Sequence, residues 1–388
     1  MSQARSLELP TIPLEIQFFI LDQITGTFEN VAPEVVKKEL GRLALICSAW
    51  TAHVRSLLFR RVYIADSNVV AGRFLSLLRR NNHLGHYTTT LAMQSAAALE
   101  FPDLPNFLPN LRTVIISSSV FEPIEGSVRP WVGVTHLKMK FCMLSTAEDL
   151  WRLLCIFPAL EHLHLSGWLV MDPDAPIVIA ANAPAIHLKE LVLLSSRHHS
   201  PHPAVTQLAL HDLTVDRLSV TLLAVEDWDA SACNSLLCKI GPTLQELELV
   251  VDLPEKRIPE VGICIRPCTA LRSLVLGLCS IAGSAQTMRG GNLIISILNQ
   301  ISAPTMTTLT FNVNVSSESL TAPLRELPWD KIDDSILGRL GPHLKRVVVR
   351  NLPADGPDLR FDEFAGFLKE RLVGLERGHL LQFERGGI

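Results

Sequence analysis

The chain has 388 residues, 48% of them hydrophobic, 19% charged and 6% aromatic, with a formal net charge of −4. That apolar content excludes wholesale disorder, and the lack of a basic excess counts against a general nucleic-acid binder. Eight cysteines are too dilute for a disulfide scaffold, and no long uncharged apolar run offers a membrane span.

The first apolar run, from Ile12 to Leu21, is interrupted by Glu15 and Gln17, unlike a secretory signal. With free thiols, this predicts a cytoplasmic or nuclear setting. Ile12, Pro13, Leu14, Glu15 and Ile16 open a short amphipathic helix that continues through Ile20, Leu21 and Ile24. A second helix starts near Pro33, with Leu40, Leu43, Leu45 and Ile46 apolar. It leads to Cys47 and Trp50, then to Val54, Leu57, Leu58 and Phe59.

This order of parts resembles the F-box, the helical module that docks onto the adaptor subunit of SCF-type (cullin-RING) ubiquitin ligases. The resemblance covers residues 7–59. Ile12 and Pro13 stand where the family has a Leu-Pro pair, and Glu15, Ile16, Ile20, Leu43, Cys47 and Trp50 fall at family positions. Residues 25–36 form an insertion between the first two helices. The resemblance implies that Pro13, Leu14, Glu15, Ile16, Ile20, Leu43 and Trp50 dock the adaptor, and through it a cullin. The physical reading agrees, because about 50 residues of helix bury little core and leave Pro13, Leu14 and Ile20 wanting a partner. An alternative stays open: these helices only cap a repeat array, whose naked end must be covered.

From residue 60 to 388 the dominant signal is a repeat. An apolar-x-x-apolar-x-apolar motif is clearest at Leu160, Leu163, Leu165; at Leu188, Leu191, Leu193; at Leu244, Leu247, Leu249; and at Leu271, Leu274, Leu276. Weaker copies begin at Leu111, Val134, Val215, Met306 and Leu344, and two doubtful ones at Phe59 and Thr88. Successive copies are 23 to 29 residues apart as far as Leu271, then 35 and 38. Most of these steps lie in the leucine-rich-repeat range. The last two apolar positions alternate on a short strand and point into a stack of turns. One such turn cannot bury its own face, so the turns stack into a solenoid with a parallel inner sheet. Eight residues after the first leucine, such repeats want Asn or Cys to satisfy backbone groups. Cys142, Cys279 and Asn314 stand there, while Ser119, Ser196 and Asp252 occupy it elsewhere.

Between the strands, residues 145–157 read as a helix with Ser145 and Glu148 as a capping box. Residues 229–240, 292–301 and 333–340 read as helices too, and Gly241-Pro242 and Gly341-Pro342 stop two of them. Pro-rich residues 172–187 and 200–204 are expected as loops, and residues 289–292 as a loop before a helix. A C-terminal helical cap is expected. The fold class is therefore α/β: a three-helix module at 7–59, then an irregular leucine-rich-repeat horseshoe over 60–388. F-box followed by leucine-rich repeats is a known family architecture, notably with divergent repeats in fungi.

No phosphate-binding loop, metalloprotease motif or nucleophile elbow is present, so no catalytic residue, cofactor or metal is predicted. His198, His199 and His202 lack a nearby Cys or carboxylate and read as a polar loop. Cys264 and Cys268 make one pair where zinc needs four ligands. Arg55, Arg60, Arg61, Arg73, Arg79 and Arg80 read as a solvated face rather than a nucleic-acid patch. The expected work is protein recognition on the concave face. Lys138, Lys140, His162, His164, Glu246, Glu248, Arg272 and Arg346 are the candidate target contacts, within a row that also holds His136, Glu190 and Arg217. The reading is a non-catalytic recognition subunit of an SCF-type ligase; a plain repeat scaffold is the alternative.

Overall fold

The computed structural model describes residues 16, 33–45, 48–64, 68–94, 101, 103–117, 120–121, 129–167, 169–170, 185–194, 202–223, 227–252, 262–278, 284–313, 315, 318–352 and 359–385. The chain divides into two units, residues 1–93 with 97–114, and residues 94–96 with 115–388.

In the first unit, helices Pro33–Ala44 and Ser48–Arg60 pack together. Leu40 and Val54 are buried between them, and Leu43, Ala44, Trp50, Leu57 and Leu58 pack around that pair. The second helix runs straight into strand β1 (Arg61–Ile64), which explains why this strand groups with the helices. Helix Asn68–Arg80 and a 3-10 turn at Asn82–Tyr87 carry the chain to β2 (Thr90–Met93), which pairs parallel with β1. The two doubtful repeat copies are thus a real parallel pair. Of the expected first helix only Ile16 is among the described residues; Pro13, Leu14, Glu15 and Ile20 lie outside them.

The second unit takes up the chain inside β3 (Thr113–Ser117). Its parallel ladder runs through β5 (His136–Lys140), β7 (His162–Ser166), β9 (Ile186–Leu194), β10 (Leu213–Leu223), β11 (Glu246–Asp252), β12 (Ser273–Leu278), β13 (Thr308–Val313), β14 (Arg346–Asn351) and β15 (Leu381–Arg385). Three short strands, β4 (Val120–Phe121), β6 (Met143–Leu144) and β8 (Leu169–Val170), form a second parallel ladder at the turns.

The repeat leucines are the core. Leu137, Met139, Leu163, Leu165, Leu191, Leu193, Leu218, Val220, Leu247, Leu249, Leu274, Leu276, Leu309, Phe311, Val347 and Val349 are all buried. Each contributes about 1.5–3 kcal/mol of gross burial. Cys142 does what its position predicts: its thiol lies 3.5 Å from the carbonyls of Ile116 and Lys140. Cys279 and Asn314 lie outside the described residues.

The intervening helices differ from expectation at their ends. The first starts one residue later than the expected box: in helix Ala147–Cys155, the carboxylate of Asp149 accepts from the Thr146 amide at 2.8 Å and hydroxyl at 2.9 Å. Helix His202–Leu210 occupies part of an expected loop, because a proline fits the first helical turn without losing a bond. Helix Ser284–Gln300 runs through Gly290 and Gly291, read from sequence as a loop. Gly291 is used for close packing, since a Cβ there would sit 2.4 Å from Cδ of Pro328. Helix Trp329–Arg339 begins four residues before the expected start at Asp333. The Gly241 and Gly341 stops are present, with their amides donating to Leu237 O and Ile336 O at 2.8 and 3.1 Å. The expected C-terminal helices are Leu359–Arg371 and Val373–Arg377, but the edge strand β15 follows them. No described helix is long and apolar enough to cross a membrane.

Candidate functional site

With the leucines turned inward, the intervening residues of each strand form rows across the opposite face of the second unit. The first row is His136, His162, Glu190, Arg217, Glu246, Ser273, Thr308 and Arg346. The second is Lys138, His164, Val192, Ser219, Glu248, Val275, Thr310 and Val348. The third is Lys140, Ser166, Leu194, Thr221, Val250, Gly277, Asn312 and Arg350.

Seven of the eight predicted contacts fall in these rows, but they do not form one site. Lys138, Lys140, His162 and His164 are neighbours on β5 and β7. Glu246 and Glu248 stand three strands further, about 14 Å away at the usual strand spacing. Arg346 is another three strands beyond, where its Nε lies 3.3 Å from Thr308 Oγ1. Arg272 precedes the row, which Ser273 occupies instead. Toward β13 and β14 the face closes: Thr310, Asn312 and Val348 are buried.

The middle of the face is an ionic ladder. The His136 and His162 rings stack with centroids 4.2 Å apart and planes 8° from parallel. His162 Nδ1 lies 3.3 Å from Glu190 Oε2. Arg217 reaches Glu190 at 3.6 Å, Glu246 at 3.7 Å and Glu248 at 4.0 Å. The Ser219 hydroxyl donates to Glu248 at 3.0 Å. Burial, then the neighbouring His162 and Lys138, holds His136 below the usual imidazole value. Burial, then Lys138 and Lys140, does the same to His164. These rings are therefore neutral hydrogen-bonding groups at neutral pH.

One further residue of this face belongs to none of the sequence motifs. Phe141, just after β5, is 58% exposed and has a left-handed backbone, φ 53°. Its ring lies over Gly167, itself at φ 60°, where a Cβ would come within 2.6 Å of the ring. Only the unexpected glycine after β7 hinted at this in the sequence.

In the first unit, Ile16 is helical and 50% exposed, while Leu43 and Trp50 are half-buried against Leu40 and Val54. The six arginines from Arg55 to Arg80 are all exposed, and Arg79 pairs with Asp103 at 3.0 Å. His198 and His199 lie outside the described residues. Burial, then the nearby Cys264 and Cys238, pushes the Cys268 thiol up to about 12, so it is inert. Among the described residues, no group of three or more His, Cys, Asp or Glu is placed to hold a metal.

No family model matches the chain, and no curated protein matches it. Among solved structures, the chain is similar to one described as "Crystal structure of Rad7 and Elc1 complex in yeast". The identity is 13% and the TM-score 0.29, over 89% of this chain and 94% of that one. Function is therefore argued from the residues.

Proposed function

We propose that the chain is the target-recognition subunit of an SCF-type ubiquitin ligase, working in the cytoplasm or nucleus. Residues 7–59 dock the adaptor, with Pro13, Leu14, Glu15, Ile16, Ile20, Leu43 and Trp50 as the contacts. The open rows of the repeat unit hold a target protein. The observation that carries this reading is the pairing of two features in one chain. A packed helical pair that includes Leu43 and Trp50, in the segment whose sequence resembles an F-box, precedes a parallel ladder with a charged face. The mechanism is positional: holding the target raises its local concentration at the transferring machinery, and no residue of this chain does covalent chemistry.

A plain repeat scaffold is the second reading. It is favoured by Leu43 and Trp50, which are already used inside the helical pair. Co-purification of the full chain with the adaptor subunit separates the two. Retention by the wild type and loss in Ile16→Asp supports the ligase reading. No retention by the wild type removes it.

A further inference from the structure

Most charged groups on the open face already have partners. His162 and Arg217 share Glu190, Arg217 also meets Glu246 and Glu248, and Arg350 holds Glu384 at 2.7 Å. Lys138 and Lys140 are both exposed and have no ion pair among the described residues; Arg346, at the far end of the first row, has none either, but its Nε meets the Thr308 hydroxyl at 3.3 Å. The two lysines sit two residues apart on β5, in the second and third rows. Beside them, His164 Nε2 is buried with no hydrogen-bond partner among the described residues. A buried polar atom without a partner is destabilising.

The same corner carries an apolar step. Val192 and Leu194, half-buried, continue the second and third rows on β9. Phe141 stands at the ends of these strands, its amide donating to Ser166 O at 2.8 Å. A phenylalanine held exposed in the left-handed region is strained, and such strain concentrates where a side chain must be presented. The Gly167 below it leaves the ring its seat.

We infer that this corner, built from Lys138, Lys140, His164, Val192, Leu194 and Phe141, takes an acidic segment of a partner protein carrying one large apolar side chain. The carboxylates meet the two lysines, and the apolar side chain lies against Phe141, Val192 and Leu194. Charge complementarity sets the sign of the partner. Nucleic acid fits less well, because two cations alone cannot track a phosphate chain and the whole carries −4. The inference rests on the reading of the open face as the target surface.

The test pans a phage-displayed library of random dodecapeptides on the full chain, with counter-selection on Lys138→Glu/Lys140→Glu. Peptides with two or more carboxylates around a leucine or aromatic are expected. In fluorescence anisotropy, the enriched peptide should lose at least tenfold in affinity to that double variant. Phe141→Gly should cost roughly fivefold in affinity, as expected of an aromatic anchor. It should also melt no lower than the wild type, because glycine relieves the left-handed strain. Arg266→Glu, an exposed charge outside the three rows, should bind normally. A selected pool with no acidic enrichment, or tighter binding of a single-stranded oligonucleotide than of the peptide, overturns the inference. Adaptor retention is scored on the same preparations. Peptide failure with the adaptor retained sinks only this inference, and adaptor loss with peptide bound sinks only the ligase reading.

Discussion

The carboxylate of Asp333 accepts the backbone amides of Gly374 and Leu375, at 2.8 and 3.1 Å. Asp333 is 6% exposed and sits inside helix Trp329–Arg339, so it ties the last helix of the chain to the repeat core. Gly374 permits the approach, since a Cβ there would come within 2.1 Å of Leu337 Cδ1. Replacing the acid strands two amides. Asp333→Ala is expected to lower the unfolding free energy by about 2–4 kcal/mol, and Asp333→Asn by about half as much. Urea denaturation measures both; equal midpoints for wild type and Asp333→Ala contradict the role.

Gly277 in β12 lies against Val250 of β11. A Cβ at 277 would meet Val250 Cγ2 at 2.7 Å and Cα at 3.1 Å. The two are register partners, so the added methyl has no other direction to go. Gly277→Ala is expected to cost about 1–3 kcal/mol through overpacking. Val250→Ala should restore most of that loss when combined with it. The double-mutant cycle is the measurement, and additive penalties would show that the clash is not the cause.

These two sites show what could and could not be read from the sequence. The strand leucines were legible because period two with a fixed offset repeats on nearly every turn. The rows of the open face followed from the same period, including Lys138, His164 and Glu248. Asp333 was legible only as a helix start, because its real partners are some 40 residues away in sequence, at 374 and 375. Gly291 reads as loop in the sequence and Gly277 carries no signal there; the use of both depends on Pro328 and Val250, which only the tertiary packing brings near. Helix His202–Leu210 is masked in the sequence by its proline, which reads as a breaker although Pro203 lies in the first turn, where the bond is not needed. β15 leaves only a faint pattern in the sequence, because it is an edge strand and Leu381 and Phe383 are only half-buried. The division of the face into separate basic and acidic patches needed the register.

Arg217 is the centre of the ionic ladder. Its guanidinium faces three carboxylates, Glu190, Glu246 and Glu248, on the strands to either side. The side chain is 49% exposed, so solvent weakens every pair. Arg217→Ala still leaves three like charges on neighbouring strands, with only Glu190 sharing a histidine. The expected loss is about 0.5–1 kcal/mol at low salt, shrinking as salt screens the carboxylates. Unfolding midpoints at low and high ionic strength test this. A penalty that does not change with salt would point to lost packing of the arginine stem instead.

Stability should fall on mild acidification, and the histidines set the sign. His136, His164 and His211 are each held below the ordinary 6.5, chiefly by burial. In the unfolded chain they return to that value and bind protons more readily. Where the unfolded state holds more protons, lowering the pH favours unfolding. Their contribution is therefore complete above about pH 6.5 and is lost as the pH drops through the lowered folded values. The depressed carboxyl of Glu161, which accepts from Lys189, works in the same direction but only in a more acid range. A melting midpoint that declines from about pH 7.5 to about 5.5 is expected, with a shallower decline in His136→Gln/His164→Gln. The double variant removes two of the three rings of the open face, leaving His162, and Trp151 still stacks on His211 at 3.8 Å, so some decline should remain. A midpoint that holds steady or rises over that interval, or a double variant as steep as the wild type, would mean that these rings do not titrate as their surroundings require.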